Sequence, residues 1–372
     1  MSRIIIFTDA WHPQVNGVVV TLEKTISELQ KDGHIVKVID PCTNFNLPCP
    51  TYPEIKLTFL SSNKIKKILK HFNPDYIHIA TEGPIGISAR RFLNKNNYHY
   101  TTSYHTKFPE FISSRFPINS SWGYKYMRWF HKKSSGMMVS TESLKNDLEK
   151  REFNNISMWT RGVDLELFSP QKKIDLKQFK KPIHLYVGRV SIEKGIKFFL
   201  DLDLIGSKII IGDGPQLEEL KTQYKDTHFL GYKFGNELAE YYASSDVFVF
   251  PSVTDTFGLV ILEALASGTP VAAFPVTGPK DIITSQSVGF LSNNLKESIE
   301  KCYSLNGEKI REFSKKYSWS KAATIFYNNL RHIIPIDYDN GLIMLSYTDG
   351  KYATMWNNCH SNGDDYLIEQ LH

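Results

Sequence analysis

Short apolar runs alternate with amphipathic stretches along most of the chain. That alternation confines it to parallel strands layered against helices. The run at 4–7 reads as a first strand. Apolar residues at Val18, Leu22, Ile26 and Leu29 then mark one face of a helix over 18–31, closed by Asp32-Gly33. Strands follow at 35–39, 76–79, 99–103, 137–139 and 156–159, with helices at 64–72 and 87–94. A polar, Lys-rich stretch, 169–181, ends at Pro182, after which the pattern restarts. Strands are expected at 184–187, 209–211, 247–250 and 271–274, and helices at 216–224 and 258–266. The expected organisation is therefore a first α/β domain over 1–168, a linker over 169–181 and a second α/β domain over 182–316, with a ligand cleft between the domains. A helix over 317–334 follows, and then a tail, 335–372, with no assigned role. Two strands around Thr348-Asp-Gly350 read as a hairpin in that tail.

The bulk properties exclude several classes. With 372 residues the chain suffices for two ordinary domains, and 41% hydrophobic and 22% charged residues suit a folded globular protein. A net charge of +5 is too mild to imply nucleic acid as a partner. Four cysteines without metal-ligand spacing suit a reducing cytosol. The first apolar run is too short for a signal peptide, and no run approaches the roughly 18 apolar residues of a spanning helix. The expected location is cytoplasmic, with any membrane contact peripheral.

The second half carries the densest chemistry. Val247-Phe-Val-Phe250 runs through a loop into a helix starting near Gly258, and Asp255 and Glu263 bracket that start. Free amides at a helix N-terminus seat a phosphate. Asp255 stands before that seat, where it can hold sugar hydroxyls. Glu263 lies inside, where its carboxylate can accept two vicinal ribose hydroxyls. Arg189 follows another strand and Glu193-Lys194-Gly195 opens the next helix, so Arg189 and Lys194 can converge on one diphosphate. Gly188, Gly212 and Gly214 sit in strand–helix turns where a backbone can approach a nucleotide. The bland reading is a set of ordinary strand–helix connections with incidental charges. Asp201-Leu-Asp203 lacks further ligands and is not read as a metal site.

The stretch Asp255-Thr-Phe-Gly-Leu-Val-Ile-Leu-Glu263 resembles the acid-x7-acid signature of retaining glycosyltransferases of family 4. These have two Rossmann-like domains facing across a cleft, the GT-B fold. The first acid there is usually Glu; here it is Asp255. The resemblance covers about residues 4–334 and implies donor contacts from Gly17, Gly188, Gly212, Gly214, Phe257, Gly258, Leu259 and Glu263. It implies catalytic roles for His105, Arg189, Lys194 and Asp255, and a last helix that crosses back onto the first domain. Asp9, Asn16 and Glu82 become acceptor-side candidates, since their loops follow strands of the first half. In the loop from Asp9 to Gly17 the family carries a Gly-Gly pair. Here Asn16 replaces the first, as another residue tolerant of left-handed backbone. Arg161-Gly-Val-Asp164 matches a short hinge motif with a structural role.

Pro48-Cys-Pro50, Ser103-Tyr-His-Thr106, Arg161-Gly-Val-Asp164 and Thr254-Asp-Thr-Phe-Gly258 look like the branch of sulfolipid synthases and GDP-mannose-dependent α-mannosyltransferases. That branch implies a hexose donor, GDP-mannose or a UDP-hexose, a lipid or glycan acceptor, and neither cofactor nor metal. Aromatic and basic residues interleave between Tyr104 and Lys133, a composition suited to an anionic membrane surface. A nucleotide-sugar epimerase or hydrolase of the same fold, or a non-catalytic binding protein, remains the alternative.

Overall fold

The computed structural model describes residues 1–14, 16–43, 47–49, 52–113 and 119–333, with strand segments at 342–346, 352–356 and 368–370. Two six-stranded parallel sheets organise it. The first has the spatial order Ile35–Ile39, Arg3–Phe7, Tyr76–Ile79, Thr101–Ser103, Gly136–Val139, Ile156–Met158. The second runs Thr227–Phe229, Ser207–Ile211, Ile183–Val187, Val247–Phe250, Val271–Ala273, Gly289–Leu291. Ile4, Ile5, Ile6 and Phe7 are fully buried, as the central strand of a sheet covered on both faces requires.

Each sheet reverses its direction of growth once. In the first the reversal lies between Arg3–Phe7 and Tyr76–Ile79; in the second, between Ile183–Val187 and Val247–Phe250. At such a reversal the two following loops diverge to opposite faces and leave a crevice at the carboxyl ends of the strands. Those loops contain Asp9 and Glu82 in the first half, and Arg189, Lys194 and Asp255 in the second.

The last helix, Trp319–Asn329, packs against Gly17–Lys31 in the first half. Its Ala323 and Phe326 join Ile4, Ile6, Leu22 and Trp159 in one core. Asn329 Nδ2 ties it to the Met158 carbonyl at 2.7 Å. The stretch 169–181 lies against the second sheet's layer, with Leu176 buried in that core and the Ile174 amide bonded to Ser244.

Two local expectations need correction. The sequence placed a helix start at Glu193-Lys194-Gly195. The chain instead makes one 3-10 turn, Ile192–Lys194, because Gly195 is left-handed at φ 62° and ends it. Asn16 is not left-handed either; at φ −155° it is extended and acts as the N-cap of Gly17–Lys31. Its Oδ1 accepts the Val18 and Val19 amides at 3.0 and 3.1 Å. In the tail, Leu342–Ser346 pairs antiparallel with Tyr352–Trp356, and Ile368–Gln370 adds a third strand. The expected turn at Thr348-Asp-Gly350 lies outside the described residues.

Candidate active site

The second sheet's reversal point brings Lys194 and Asp255 together, with Arg189 just beyond strand Ile183–Val187. Lys194 Nζ donates to Asp255 Oδ1 at 2.5 Å, an ion pair between loops 61 positions apart. The other oxygen, Asp255 Oδ2, is buried without a partner. Arg189 leaves the neighbouring strand with its carbonyl held by the Tyr186 hydroxyl at 2.8 Å. Gly212 and Gly214 are explained by backbone crowding, whereas a Cβ on Gly188 would meet the Tyr186 side chain, its hydroxyl at 3.0 Å. A Cβ on Gly212 would lie 2.0 Å from the Gly188 carbonyl oxygen, and one on Gly214 2.4 Å from that of Val190.

Gly258 precedes helix Leu259–Ala266 at φ 92°, a conformation that favours glycine. Phe257 is buried beside it. The helix's leading amides need partners from outside, so its start suits an anion. Glu263 lies one turn in, with Oε2 accepting from the Tyr242 hydroxyl at 2.8 Å. Burial pushes the Glu263 carboxyl up to about 7, against the lowering effect of the Tyr242 bond.

The first half meets this site directly. Gly17, at the start of its helix, faces Leu259, whose Cδ1 lies 3.6 Å from where a Gly17 Cβ would be. Thr256 Oγ1 donates to the His105 carbonyl at 2.6 Å, and Ser140 and Thr141 donate to the Thr256 carbonyl. Asp255-Thr256 and His105 therefore come from opposite halves and sit side by side.

His105 is buried, and Arg161 Nη2 donates to its Nδ1 at 3.2 Å. A guanidinium has no acceptor, so Nδ1 carries no proton and the neutral ring holds its proton on Nε2. Burial first, then the Arg161, His78 and His131 charges, hold the His105 pKa well below the usual imidazole range. Its Nε2 is buried with no partner. The site thus contains a buried donor, His105 Nε2, and a buried acceptor, Asp255 Oδ2, both unsatisfied. Such groups are costly unless something fills them.

At the first reversal point the acceptor-side candidates separate. Asp9 Oδ1 accepts the Ile85 amide at 2.8 Å; Oδ2 accepts the Thr81 hydroxyl at 2.9 Å and the Gly86 amide at 3.3 Å. It braces the start of helix Pro84–Lys95, and burial raises its carboxyl to about 6 despite those bonds. Asn16 is occupied by capping its helix. Glu82 keeps one oxygen engaged, with His131 Nε2 donating to Oε1 at 3.3 Å.

Sequence reasoning assigned Arg161 only a hinge role, gave Thr256 no role of its own within its motif, and did not find Tyr242 or His131. No local pattern marks them, because each acts on a residue distant in sequence. Among the described residues no three His, Cys, Asp or Glu side chains gather as metal ligands. No described helix is long and apolar enough to cross a membrane.

Comparison with known proteins places the chain among glycosyltransferases. Glycosyltransferase Family 4 matches residues 15–167, and Glycosyl transferases group 1 matches residues 181–305. The chain is 29% identical over 314 residues to a GDP-mannose-dependent alpha-mannosyltransferase of Mycobacterium tuberculosis, covering 78% of this chain and 83% of that one. It is 31% identical over 316 residues to the Sulfoquinovosyl transferase SQD2 of Arabidopsis thaliana, covering 76% of this chain and 61% of that one. Among solved structures, a sucrose-phosphate synthase from Thermosynechococcus elongatus superposes with a TM-score of 0.73 at 20% identity, over 88% of this chain and 98% of that one. The architecture is the GT-B fold.

Proposed function

The chain belongs to the family 4 glycosyltransferases, and on that premise we propose that it is a retaining, metal-independent hexosyltransferase. It moves a hexose from a nucleotide diphosphate-sugar, GDP-mannose or a UDP-hexose, to a hydroxyl of a lipid or glycan. The observation that carries this reading is the unsatisfied pair across the cleft. His105 Nε2 and Asp255 Oδ2 are a buried donor and a buried acceptor on facing halves. Together they suit a sugar, whose hydroxyls both give and take hydrogen bonds.

In the proposed reaction the diphosphate lies at the start of helix Leu259–Ala266, and Glu263 accepts the ribose hydroxyls. Arg189 and Lys194 face the diphosphate. As the bond from the sugar's anomeric carbon to the phosphate oxygen breaks, its electron pair leaves with the diphosphate. Fixed cations there stabilise that developing charge more than the ground state. The acceptor oxygen attacks from the face the diphosphate leaves, and its proton passes to a phosphate oxygen. The anomeric configuration is retained.

A thermal-shift titration with GDP, UDP, ADP and their sugar conjugates tests the donor half. One nucleotide should raise Tm with concentration, as linkage requires. Glu263 binds ribose best as a carboxylate. With its pKa at about 7 in the unliganded protein, affinity should rise with pH through neutrality. One unit below that value only about a tenth of the carboxyl is ionised, so the dissociation constant should be about tenfold weaker there. In Glu263→Gln this pH dependence should disappear. A wild-type shift that stays flat across neutrality would contradict the ribose role.

We also propose that the enzyme works at the cytoplasmic face of a membrane. In helix Ser120–His131 the residues Tyr124, Met127 and Phe130 face the core, while Trp122, 68% exposed, lies beneath Lys125 and Trp129, 42% exposed, beneath Arg90. Of the aromatic segment proposed to touch lipid, Phe111 and Phe116 lie outside the described side chains. Trp122→Ala with Lys125→Glu should lower co-sedimentation with anionic phospholipid vesicles about tenfold. Unchanged sedimentation would remove this face from consideration.

A further inference from the structure

Glu82 has no part in the donor chemistry, yet its setting is specific. It follows strand Tyr76–Ile79 at the first reversal point, beside Asp9. Asp9 has both oxygens committed to the start of helix Pro84–Lys95. Glu82 is held on two sides by helix Ser120–His131: the Tyr126 hydroxyl donates to its carbonyl, and His131 Nε2 donates to Oε1 at 3.3 Å. His131 is itself buried, and its Nδ1 shares a 2.9 Å hydrogen bond with Thr102 Oγ1. The ring orientation is thus fixed from behind. The remaining oxygen, Oε2, has no partner among the described residues, and the side chain is 16% exposed. A carboxylate held at one oxygen and open at the other is preorganised to accept a hydrogen bond.

The surroundings indicate what reaches it. Tyr126 lies 5.8 Å from Trp129 and 6.4 Å from Phe108, ring centre to ring centre. Both outer rings are exposed, at 42% and 39%. Through the Tyr126 bond to its carbonyl, Glu82 adjoins an aromatic row that reaches the surface on the same helix as Trp122. A polar group beside apolar rings that lead outward matches an amphiphile entering head first.

We propose that Glu82, positioned by His131, binds a hydroxyl of the acceptor, and that the acceptor is a lipid whose head carries at least two neighbouring hydroxyls. The proposal rests on the glycosyltransferase reading above and follows from counting protons. The attacking hydroxyl has a single proton. It goes to the leaving phosphate oxygen as the bond from the acceptor oxygen to the anomeric carbon forms. That proton cannot also occupy Glu82, so Glu82 takes the hydrogen bond of an adjacent hydroxyl. A sugar-headed lipid satisfies both demands, whereas diacylglycerol, with one hydroxyl, satisfies one.

The test uses the full chain with anionic phospholipid vesicles carrying either monoglucosyl-diacylglycerol or diacylglycerol, and the nucleotide-sugar that gives the thermal shift. The sugar-headed lipid should be the better acceptor by about tenfold or more in kcat/KM. Glu82→Gln is isosteric and keeps an acceptor for His131. It should lower transfer about 100-fold, the loss of one charged hydrogen bond, while the nucleotide-induced thermal shift stays at the wild-type value. His131→Gln should raise acceptor KM more than it lowers kcat, and Glu82→Asp should restore part of the rate. Wild-type transfer by Glu82→Gln, or equal use of diacylglycerol, would overturn the proposal. Loss of nucleotide binding in the wild-type protein would instead overturn the donor reading and this proposal with it.

Discussion

Replacing Arg189 with Ala should lower kcat by about a thousandfold, with the melting temperature nearly unchanged, because fixed charge at a leaving group is among the largest catalytic contributions. Lys194, the other cation of the proposed site, is paired with Asp255 at 2.5 Å. Arg189 follows strand Ile183–Val187 at the reversal point, and the Tyr186 hydroxyl on its carbonyl fixes the backbone from which the guanidinium projects. Its charge acts mainly as the sugar departs, so KM for the donor should move far less than kcat. Arg189→Lys should recover little, since an ammonium lacks the planar fork that binds two phosphate oxygens. Steady-state kinetics of the three proteins decide this. Wild-type turnover in Arg189→Ala would remove the diphosphate role.

His105→Ala should have the second largest effect, about a hundredfold in kcat/KM, with a fall in stability as well. The catalytic part is loss of the Nε2 donor, which is buried without a protein partner and on the proposed reading bonds the sugar. The stability part comes from Arg161. Its Nη1 keeps the Trp159 and Thr160 carbonyls, but Nη2 loses the His105 acceptor. A buried charged donor left unpaired costs about 1–3 kcal/mol. Arg161→Ala separates the two contributions. It frees the His105 ring to change tautomer, so activity should fall although the imidazole is still present. Full activity in Arg161→Ala would show that the tautomer does not matter.

Much of the fold could be read from the sequence because a buried parallel strand must be apolar on both faces. Ile4–Phe7 and Val247–Phe250 are such runs. Helix Gly17–Lys31 was likewise legible from one apolar stripe, and Asp255 and Glu263 from the way they bracket a helix start. What stayed hidden depends on strand order rather than strand identity. Lys194 meets Asp255 only because Ile183–Val187 lies beside Val247–Phe250, although the two residues are 61 positions apart. His105 meets Thr256 across 151 positions and Glu82 meets His131 across 49. Asn16 was misread for a different reason. Its residue type suits both a left-handed turn and an extended N-cap, and the orphan amides of Val18 and Val19 selected the cap.

The retaining transfer itself is tested most directly by the anomeric configuration of the product. The protein would be incubated with an α-configured nucleotide-sugar and lipid vesicles, and the new glycosidic linkage read by proton NMR. An α-linked lipid product, with nucleoside diphosphate released in step with it, is the predicted result. A β-linked product, or free sugar released equally with and without acceptor, would contradict it.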